Sequence, residues 1–148
     1  RTYIKVVGRL RVNPVIKFPF SLNYKKKEIA IIGAGQFSFA AIGYFLKKNR
    51  GNCILGVFDI DKVNATTYAN YYNTKVFNNA KELITNERVK IVYIASNHAS
   101  HTDYAILALN ANKIVYVEKP ISVTVEQFTK LMGHRMTSLN YLLAFLKT

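Results

Sequence analysis

A glycine-rich turn at residues 33–38 (GAGQFS) most constrains the fold of this chain, because it joins an apolar run at residues 28–32 to a segment with helical spacing. Gly33 allows the tight turn, and Gly35 lets the backbone approach a pyrophosphate group closely. Ser38 stands where such turns prefer glycine or alanine, and its side chain is small enough to fit. Since helix N-termini attract phosphates, the turn predicts a dinucleotide site. Its binding residues would be Gly33, Ala34, Gly35, Gln36 and Phe37.

Short apolar runs and helical patterns alternate along the rest of the chain. Strands are predicted near residues 28–32, 53–58, 75–77, 89–95 and 113–117. Helices are predicted near residues 37–48, 62–72, 80–84, 101–110 and 125–132. Parallel strands need helical crossovers, so this order predicts the α/β class with a doubly wound parallel sheet of the Rossmann type. A last amphipathic helix is predicted over residues 138–147, where four leucines fall at helical spacing.

The positive charge of the chain is concentrated at one end. The 148 residues include 21 Lys and Arg against 8 Asp and Glu, a net charge of +13. Eight basic residues and one acidic residue lie within residues 1–28. We interpret residues 1–27 as a basic N-terminal arm or the remnant of a preceding segment, and residues 28–148 as the dinucleotide-binding domain. The arm also permits a nucleic-acid hypothesis, which we disfavour because the scattered tyrosines form no stacking platform.

Composition also bears on location. The single cysteine, Cys53, excludes an intramolecular disulfide and favours a reducing compartment, so we expect a cytoplasmic protein. No stretch approaches the ~18 consecutive apolar residues that span a bilayer, and we expect no membrane partner. Apolar residues make up 50% of the chain, which excludes a disordered protein.

Asp59 stands at the end of the second predicted strand, where a carboxylate can accept hydrogen bonds from the ribose hydroxyls of an adenosine. The same negative charge repels a 2′-phosphate, and no arginine follows it. The sequence therefore predicts NAD as the cofactor in preference to NADP. For Asp61, two residues later, we favour a helix N-cap over a ligand role.

Polar and titratable residues gather after the fourth and fifth predicted strands. They are Ser96, Asn97, His98 and His101 after the fourth strand, and Glu118, Lys119 and Pro120 after the fifth. The carboxyl ends of parallel strands share one edge, where ligands bind, so all of these are candidate site residues. His98, His101 and Asp103 also suggest a metal site. Without a further ligand, we favour helix capping and a cofactor wall and expect no metal.

Four features together resemble one known family. They are GAGQFS, the strand-end Asp59, the segment IASNHASHTDYAILALNANKIVYVEKPIS, and above all Glu118-Lys119-Pro120 within it. This combination resembles the cofactor domain of the glucose–fructose oxidoreductase and inositol dehydrogenase family (Gfo/Idh/MocA) over about residues 28–128. The Glu-Lys-Pro triplet after the fifth strand makes the resemblance specific.

The resemblance implies a role for each candidate residue. The turn from Gly33 to Phe37 would hold the pyrophosphate, and Asp59 the adenine ribose. Ser96, Asn97 and His101 would line the nicotinamide side, with Asn97 standing where many members have proline. Glu118 would contact the nicotinamide ribose region. Lys119 would be the catalytic residue that orients the substrate hydroxyl and helps to move its proton, and Pro120 would fix the turn that aims it.

The resemblance also implies an activity and its limits. Members transfer hydride between a nicotinamide and a sugar, polyol or related hydroxyl or carbonyl compound, and some form homo-oligomers. Their catalytic histidine belongs to a C-terminal substrate domain that is absent from this sequence. We therefore expect a truncated chain that is inactive in isolation. The alternative is a non-catalytic module that binds or senses a dinucleotide.

Overall fold

The computed structural model of the protein describes residues 26–134 and 142–144. The predicted basic arm, up to residue 25, lies outside the described residues. The described residues contain six strands: β1 (Ile29–Ile32), β2 (Ile54–Phe58), β3 (Lys75–Val76), β4 (Ile91–Ile94), β5 (Ile114–Val117) and β6 (Leu142–Ala144). The α-helices are α1 (Tyr44–Arg50), α2 (Lys62–Tyr72), α3 (Ala80–Thr85), α4 (His101–Asn110) and α5 (Val125–Met132).

The strands form one parallel sheet in the order β3-β2-β1-β4-β5-β6. The chain therefore winds outward from β1 to β3, crosses back to β4 beside β1, and winds outward in the opposite direction. This reversal between β1 and β4 is the switch point of a doubly wound sheet, where ligands bind at the carboxyl ends of the strands. The predicted α/β Rossmann architecture is confirmed.

Strand β1 lies at the centre and is buried along its whole length. Ile29 and Ile31 belong to a core on the face that α1 and α2 cover. Ala30 and Ile32 belong to a second core, shared with α3, α4 and α5. Alternate residues of a strand point to opposite faces, so a strand covered on both faces is an unbroken apolar run. This explains why the run at residues 28–32 was recognisable in the sequence.

The first predicted helix is present but is wound unevenly. Helical structure begins at Gln36, passes through a π-helical segment at Ser38–Gly43, and continues as α1. A Cβ atom added to Gly43 would lie 2.5 Å from the Tyr72 ring and 2.7 Å from the Tyr68 hydroxyl. The missing side chain thus lets this helix pack closely against the tyrosines of α2.

Helices α2, α4 and α5 have the predicted bounds, and local capping explains where two of them start. The Asp61 carboxylate accepts hydrogen bonds from the backbone N–H groups of Val63 (2.8 Å) and Asn64 (3.3 Å), which confirms its predicted N-cap role. Thr124 caps α5 through the N–H of Gln127 at 3.1 Å. Within residues 26–134 and 142–144, no helix has both the length and the apolar character to cross a membrane.

The prediction of a helix over residues 138–147 is wrong for Leu142–Ala144, the part of that segment that the structure describes. Leu142–Ala144 form strand β6, which pairs in parallel with Val115–Val117 of β5. A short apolar run fits a buried strand as well as a helix, and only the available sheet edge decides between them. The remaining residues of that predicted helix lie outside the described residues.

Burial raises the pKa values of several core tyrosines. Tyr93 and Tyr116 stack on neighbouring strands with ring centres 4.6 Å apart, and burial raises the pKa of Tyr116 to about 12. Desolvation likewise raises the pKa of Tyr72 to about 12, and it raises the pKa of Tyr68 and of Tyr93 above the ordinary value. These tyrosines therefore hold their protons more tightly in the folded chain than in the unfolded chain.

We expect the free energy of unfolding to fall at alkaline pH. Each raised tyrosine pKa contributes stability that is complete below the unfolded value of about 10 and is lost as pH rises through the folded value. Urea unfolding from about pH 8 to about pH 11 measures this decline. Tyr116→Phe should make the decline shallower, whereas Tyr44→Phe, at a ring that is 44% exposed, should not. A free energy of unfolding that stays constant over this range would contradict the account.

Candidate functional site

Residues that follow β1, β2, β4 and β5 meet at the carboxyl edge of the sheet. Because these strands are neighbours and parallel, their carboxyl ends lie side by side. The structure brings the candidate residues to this edge, and several of them are in direct contact, as described below. The dinucleotide-site candidates from the four segments therefore share one region of the molecule.

Gly33 is the point at which two strand ends come closest. Its φ of +95° lies in a region that other residues rarely adopt. Its N–H donates to the Phe58 carbonyl of β2 at 2.8 Å. An added Cβ would lie 2.4 Å from the Ala95 carbonyl oxygen and 2.6 Å from the Ser96 nitrogen. Only glycine fits between the ends of β1 and β4.

Asp59 ties the end of β2 to the turn after β1. One carboxylate oxygen accepts a hydrogen bond from the Ala34 N–H at 2.6 Å, and the other accepts one from the Asp61 N–H at 2.8 Å. Sequence reasoning missed this structural role. The Asp-x-Asp spacing is a signal for it, since an aspartate often bonds the N–H two residues later. Each oxygen keeps a further lone pair with which it can accept a ligand hydroxyl.

Open space lies beside Gly35, where the helix begins. The Phe39 N–H donates to the Gly35 carbonyl at 2.9 Å as one of the first helical bonds, and Gln36 is exposed. A Cβ added to Gly35 would meet no described atom within 4 Å. First-turn N–H groups have no acceptor inside their own helix and form the positive end of its dipole. The start of this helix therefore offers free space beside Gly35 for a negatively charged group such as a pyrophosphate.

The third motif position has a packing role. Ser38 is fully buried, beside the turn that Gly33 and Gly35 define. A small side chain at this position lets the helix lie close to the sheet. Serine therefore meets the steric requirement for which glycine or alanine is usual.

The loop after β4 is held by its own hydrogen bonds. The Asn97 side chain accepts from the Ser100 N–H at 3.1 Å, and the Ser96 and Ser100 hydroxyls lie 2.8 Å apart. Asn97 has a φ of −67°, which is the value that proline would impose. Asn97 therefore adopts the backbone φ angle that a proline would have at this position. Asn97 and His98 are exposed at this edge.

His101 occupies a different place from the one expected. It begins α4 and is fully buried, so its ring does not form the exposed wall of the site. Nδ1 lies 2.8 Å from the Pro120 carbonyl oxygen, and Nε2 lies 3.0 Å from the Ser96 carbonyl oxygen. The prediction placed His101 on the nicotinamide side of the site. The structure places its ring behind the loops that follow β4 and β5. The sequence could not show this because the first residue of a helix can face either way.

The loop after β5 presents the Glu-Lys-Pro triplet. The Glu118 N–H donates to the Ile94 carbonyl at 2.9 Å, which continues the pairing of β5 with β4. Lys119 and Pro120 are exposed, and the peptide bond between them is cis. Thr102 donates through Oγ1 to the Ile121 carbonyl at 3.0 Å and fixes the segment that follows. Sequence reasoning did not single out Thr102, and no distinctive pattern marks it.

A cavity of about 390 Å³ lies elsewhere, at the amino-terminal ends of β2 and β3. Its lining includes Lys47, Tyr72 and Asn73. None of the candidate site residues contributes to it. The glycine turn and the polar loops are therefore at the edge of the sheet opposite this cavity.

The fold and its carboxyl edge define a Rossmann domain of the dinucleotide-binding type. Residues 27–137 match the family model GFO_IDH_MocA, described as an oxidoreductase family with an NAD-binding Rossmann fold. The chain belongs to this family, and the resemblance stated from the sequence is confirmed.

Named relatives agree with this assignment. Inositol 2-dehydrogenase of Salmonella typhimurium is 28% identical over 120 residues, which cover 76% of this chain and 36% of the relative. Glucose-6-phosphate 3-dehydrogenase of Bacillus subtilis is 36% identical over 102 residues, which cover 68% of this chain and 28% of the relative. The chain thus spans about a third of the length of these relatives.

Solved structures show the same fold. An NAD-binding protein from Listeria innocua superposes with a TM-score of 0.68 at 28% identity, covering 82% of this chain and 35% of that one. Biliverdin reductase from Synechocystis, solved with biliverdin and NADP⁺, gives a TM-score of 0.67 at 22% identity, covering 80% of this chain and 37% of that one. In both comparisons, the region that superposes on this chain is only part of the longer solved chain.

Two glycine substitutions should lower the stability of the chain by very different amounts. Gly33→Ala should lower the free energy of unfolding by at least about 2 kcal/mol, because the added Cβ meets backbone atoms and the positive φ is strained. Gly35→Ala should cost less than about 1 kcal/mol, because its Cβ enters open space. Urea unfolding followed by circular dichroism measures both. Equal losses in the two variants would contradict the geometry described for the turn.

Proposed function

We propose that this chain binds NAD at the carboxyl edge of the sheet and forms the cofactor-binding part of an oxidoreductase. The observation that carries the proposal is the open space beside Gly35 at the start of the helix, next to the turn that the carboxylate of Asp59 holds. When bound, the nicotinamide supplies the hydride chemistry. The residues of this chain supply binding, orientation and the placement of a proton-carrying group.

The phosphate end of the dinucleotide would lie against the glycine turn. Gly33 and Ala34 shape the turn, while Gly35, Gln36 and Phe37 open the helix, where N–H groups and the helix dipole favour a negative charge. Gly35 adds the space that lets the backbone come close. The site would thus hold the pyrophosphate through main-chain atoms, which also explains why a basic side chain is not needed there.

Asp59 favours NAD over NADP. The structure holds its carboxylate at the end of β2 by two backbone N–H groups, so the charge has a fixed position. The remaining lone pairs would accept the ribose hydroxyls, and the charge would repel a 2′-phosphate. The first basic residue after it, Lys62, donates to the Asn78 side chain at 2.6 Å. No arginine stands between Asp59 and Lys62 to pair with a 2′-phosphate.

The loops after β4 and β5 would receive the nicotinamide half. Ser96, Asn97 and His98 would form one side, and Glu118 and Pro120 the other. Their expected contacts come from the family, and their shared position at one edge of the sheet supports them.

Lys119 is the residue we propose for the proton. It is exposed at the end of β5, beside Pro120, and its ammonium group would orient the substrate hydroxyl and take part in moving its proton while hydride passes between the substrate carbon and the nicotinamide. The names of the relatives point to a sugar, polyol or related small hydroxylated substrate. A reducing, cytoplasmic location fits the buried thiol of Cys53.

A binding module without turnover is the second candidate. The glycine turn and Asp59 would serve it equally well, because they concern binding alone. The observation that supports it is the fixed geometry of the turn and of Asp59, which backbone contacts of Gly33 and Ala34 hold in place. Turnover of NAD with inositol or glucose 6-phosphate by the 148-residue chain would exclude it, whereas nucleotide binding without turnover would support it.

NADH binding should depend on the space beside Gly35. Gly35→Val places a branched side chain where the pyrophosphate would lie, and we expect the affinity for NADH to fall at least about tenfold. Gly133→Ala is the matched control, because its added Cβ makes only ordinary contact with the Thr129 carbonyl at 3.5 Å and it lies outside the glycine turn. Titration followed by nicotinamide fluorescence gives both affinities.

Two outcomes would overturn the binding proposal. One is a folded wild-type chain, verified by circular dichroism, that binds neither NADH nor NADPH. The other is a Gly35→Val variant that binds NADH as tightly as Gly133→Ala does. Either result would show that the open space beside the turn is not a nucleotide site.

Nucleotide preference should follow the charge of Asp59. We expect the wild-type chain to bind NADH at least about tenfold more tightly than NADPH, and Asp59→Asn to narrow that ratio by removing the repulsion. Asp61→Asn is the matched control, because it removes an equal charge two residues away and asparagine still caps α2. The ratio should be unchanged in that control. A wild-type preference for NADPH, or a ratio that Asp59→Asn leaves unchanged, would contradict this assignment.

A further inference from the structure

The side chain of Gln127 bridges the two segments that carry the proposed nicotinamide side of the site. Its Oε1 atom accepts a hydrogen bond from the backbone N–H of Val123 at 2.9 Å. Its Nε2 atom donates to the carbonyl oxygen of Ala99 at 3.0 Å. Val123 lies in the segment between the Glu-Lys-Pro triplet and α5, and Ala99 lies in the loop after β4. One amide group therefore joins both segments.

The two partners of Gln127 require an amide at this position. A backbone N–H only donates and a carbonyl oxygen only accepts, so the group between them must offer one acceptor and one donor. An amide offers both, whereas an ionised carboxylate offers acceptors alone. Because an amide does not titrate, the bridge does not depend on the protonation state of the side chain.

The start of α5 aims the amide of Gln127. This residue is the third of the helix, and its backbone N–H donates to the Oγ1 atom of Thr124, the N-cap, at 3.1 Å. A glutamine or glutamate in the first turn commonly turns back toward the N-cap. Here Oε1 turns back to the N–H of Val123, and Nε2 is left to reach the loop after β4.

Other contacts between these segments come from a different helix. The ring of His101 contacts one carbonyl oxygen of each loop, and Thr102 donates to the Ile121 carbonyl at 3.0 Å. Both residues belong to the first turn of α4. Gln127 instead connects α5 to the residue that follows His98, which is exposed and belongs to the proposed nicotinamide side. It therefore holds the part of the loop that would meet the ligand.

We propose that Gln127 is a positioning residue that sets the separation between the loop after β4 and the segment that carries Lys119. The proposal rests on the proposed function, in which these loops hold the nicotinamide half of NAD between them. Their separation decides how closely the nicotinamide is held beside Lys119. The glycine turn and Asp59 hold the other half of the dinucleotide, so loss of the bridge weakens the nicotinamide contacts alone.

Two variants take the bridge apart in different ways. Gln127→Glu keeps an acceptor for the Val123 N–H and loses the donor to Ala99, whereas Gln127→Met removes the whole amide. A negative charge in the first turn stabilises a helix, so Gln127→Glu should leave α5 intact. Thr129→Val is the matched control, because it removes a hydrogen bond of 2.9 Å to the Val125 carbonyl within the same helix.

Nuclear magnetic resonance of the nucleotide-free chain tests the bridge itself. The carbonyl-carbon signal of Ala99 should move in both Gln127 variants, because each has lost the donor. Hydrogen exchange at the Val123 amide should become faster in Gln127→Met and stay near the wild-type rate in Gln127→Glu. An Ala99 signal that moves in neither variant, or Val123 exchange that is unchanged in Gln127→Met, would overturn the bridge.

A comparison of NADH with ADP-ribose tests the positioning role, because ADP-ribose lacks the nicotinamide. The affinity for NADH should fall about fivefold in Gln127→Glu and in Gln127→Met, as expected for the loss of a hydrogen bond. The affinity for ADP-ribose should stay within about twofold of the wild-type value in both variants. Thr129→Val should leave both affinities unchanged. Isothermal titration calorimetry measures both ligands.

The outcomes separate the positioning role from the proposed function. Affinities for NADH and ADP-ribose that fall together in both variants would show that Gln127 only supports the fold, and this would overturn the positioning role. An NADH affinity that neither variant changes would overturn it as well. If the Ala99 and Val123 signals change as expected but the folded wild-type chain binds neither ligand, the bridge stands, and the proposed function fails together with the positioning role.

Discussion

The close approach of Gly33 to the end of β4 is the contact on which the rest of the structure depends. With no side chain, the β1 turn lies against the Ala95 and Ser96 backbone, at a φ of +95° that glycine tolerates. The carboxylate of Asp59 then fixes the same turn to the end of β2. These contacts bring three strand ends together and set the direction in which the first helix leaves the sheet, with open space beside Gly35.

Main-chain atoms shape the carboxyl edge more than side chains do. The Asp59 carboxylate is held by two backbone N–H groups, the loop after β4 is closed by its own amide and hydroxyls, and His101 reaches two backbone carbonyls. All of these contacts are made within the chain itself. Pre-organisation lowers the ordering cost of binding, and in the proposed function the exposed Lys119 would act on the substrate.

Most of the fold could be predicted from the sequence because the patterns that indicate its strands, turn and helix cap are local. The buried run of β1, the glycine turn and the Asp61 cap depend on neighbours within a few residues, and each was found as predicted. Strand β6 was missed because its leucines fit a helix equally well until β5 offers a partner. The burial of His101 was not predicted for a related reason. Its partners, Ser96 and Pro120, lie 5 and 19 residues away in the sequence, and no periodic pattern indicates those contacts.

The central claim is that the glycine turn, Asp59 and the two loops form one nucleotide site at the carboxyl edge. Its most direct test is a map of backbone amide shifts as NADH is added to the labelled chain. The account predicts the largest shifts at residues 33–37, at Asp59, and in the loops after β4 and β5. Shifts centred instead on the cavity at the amino-terminal ends of β2 and β3, near Lys47 and Asn73, would contradict it.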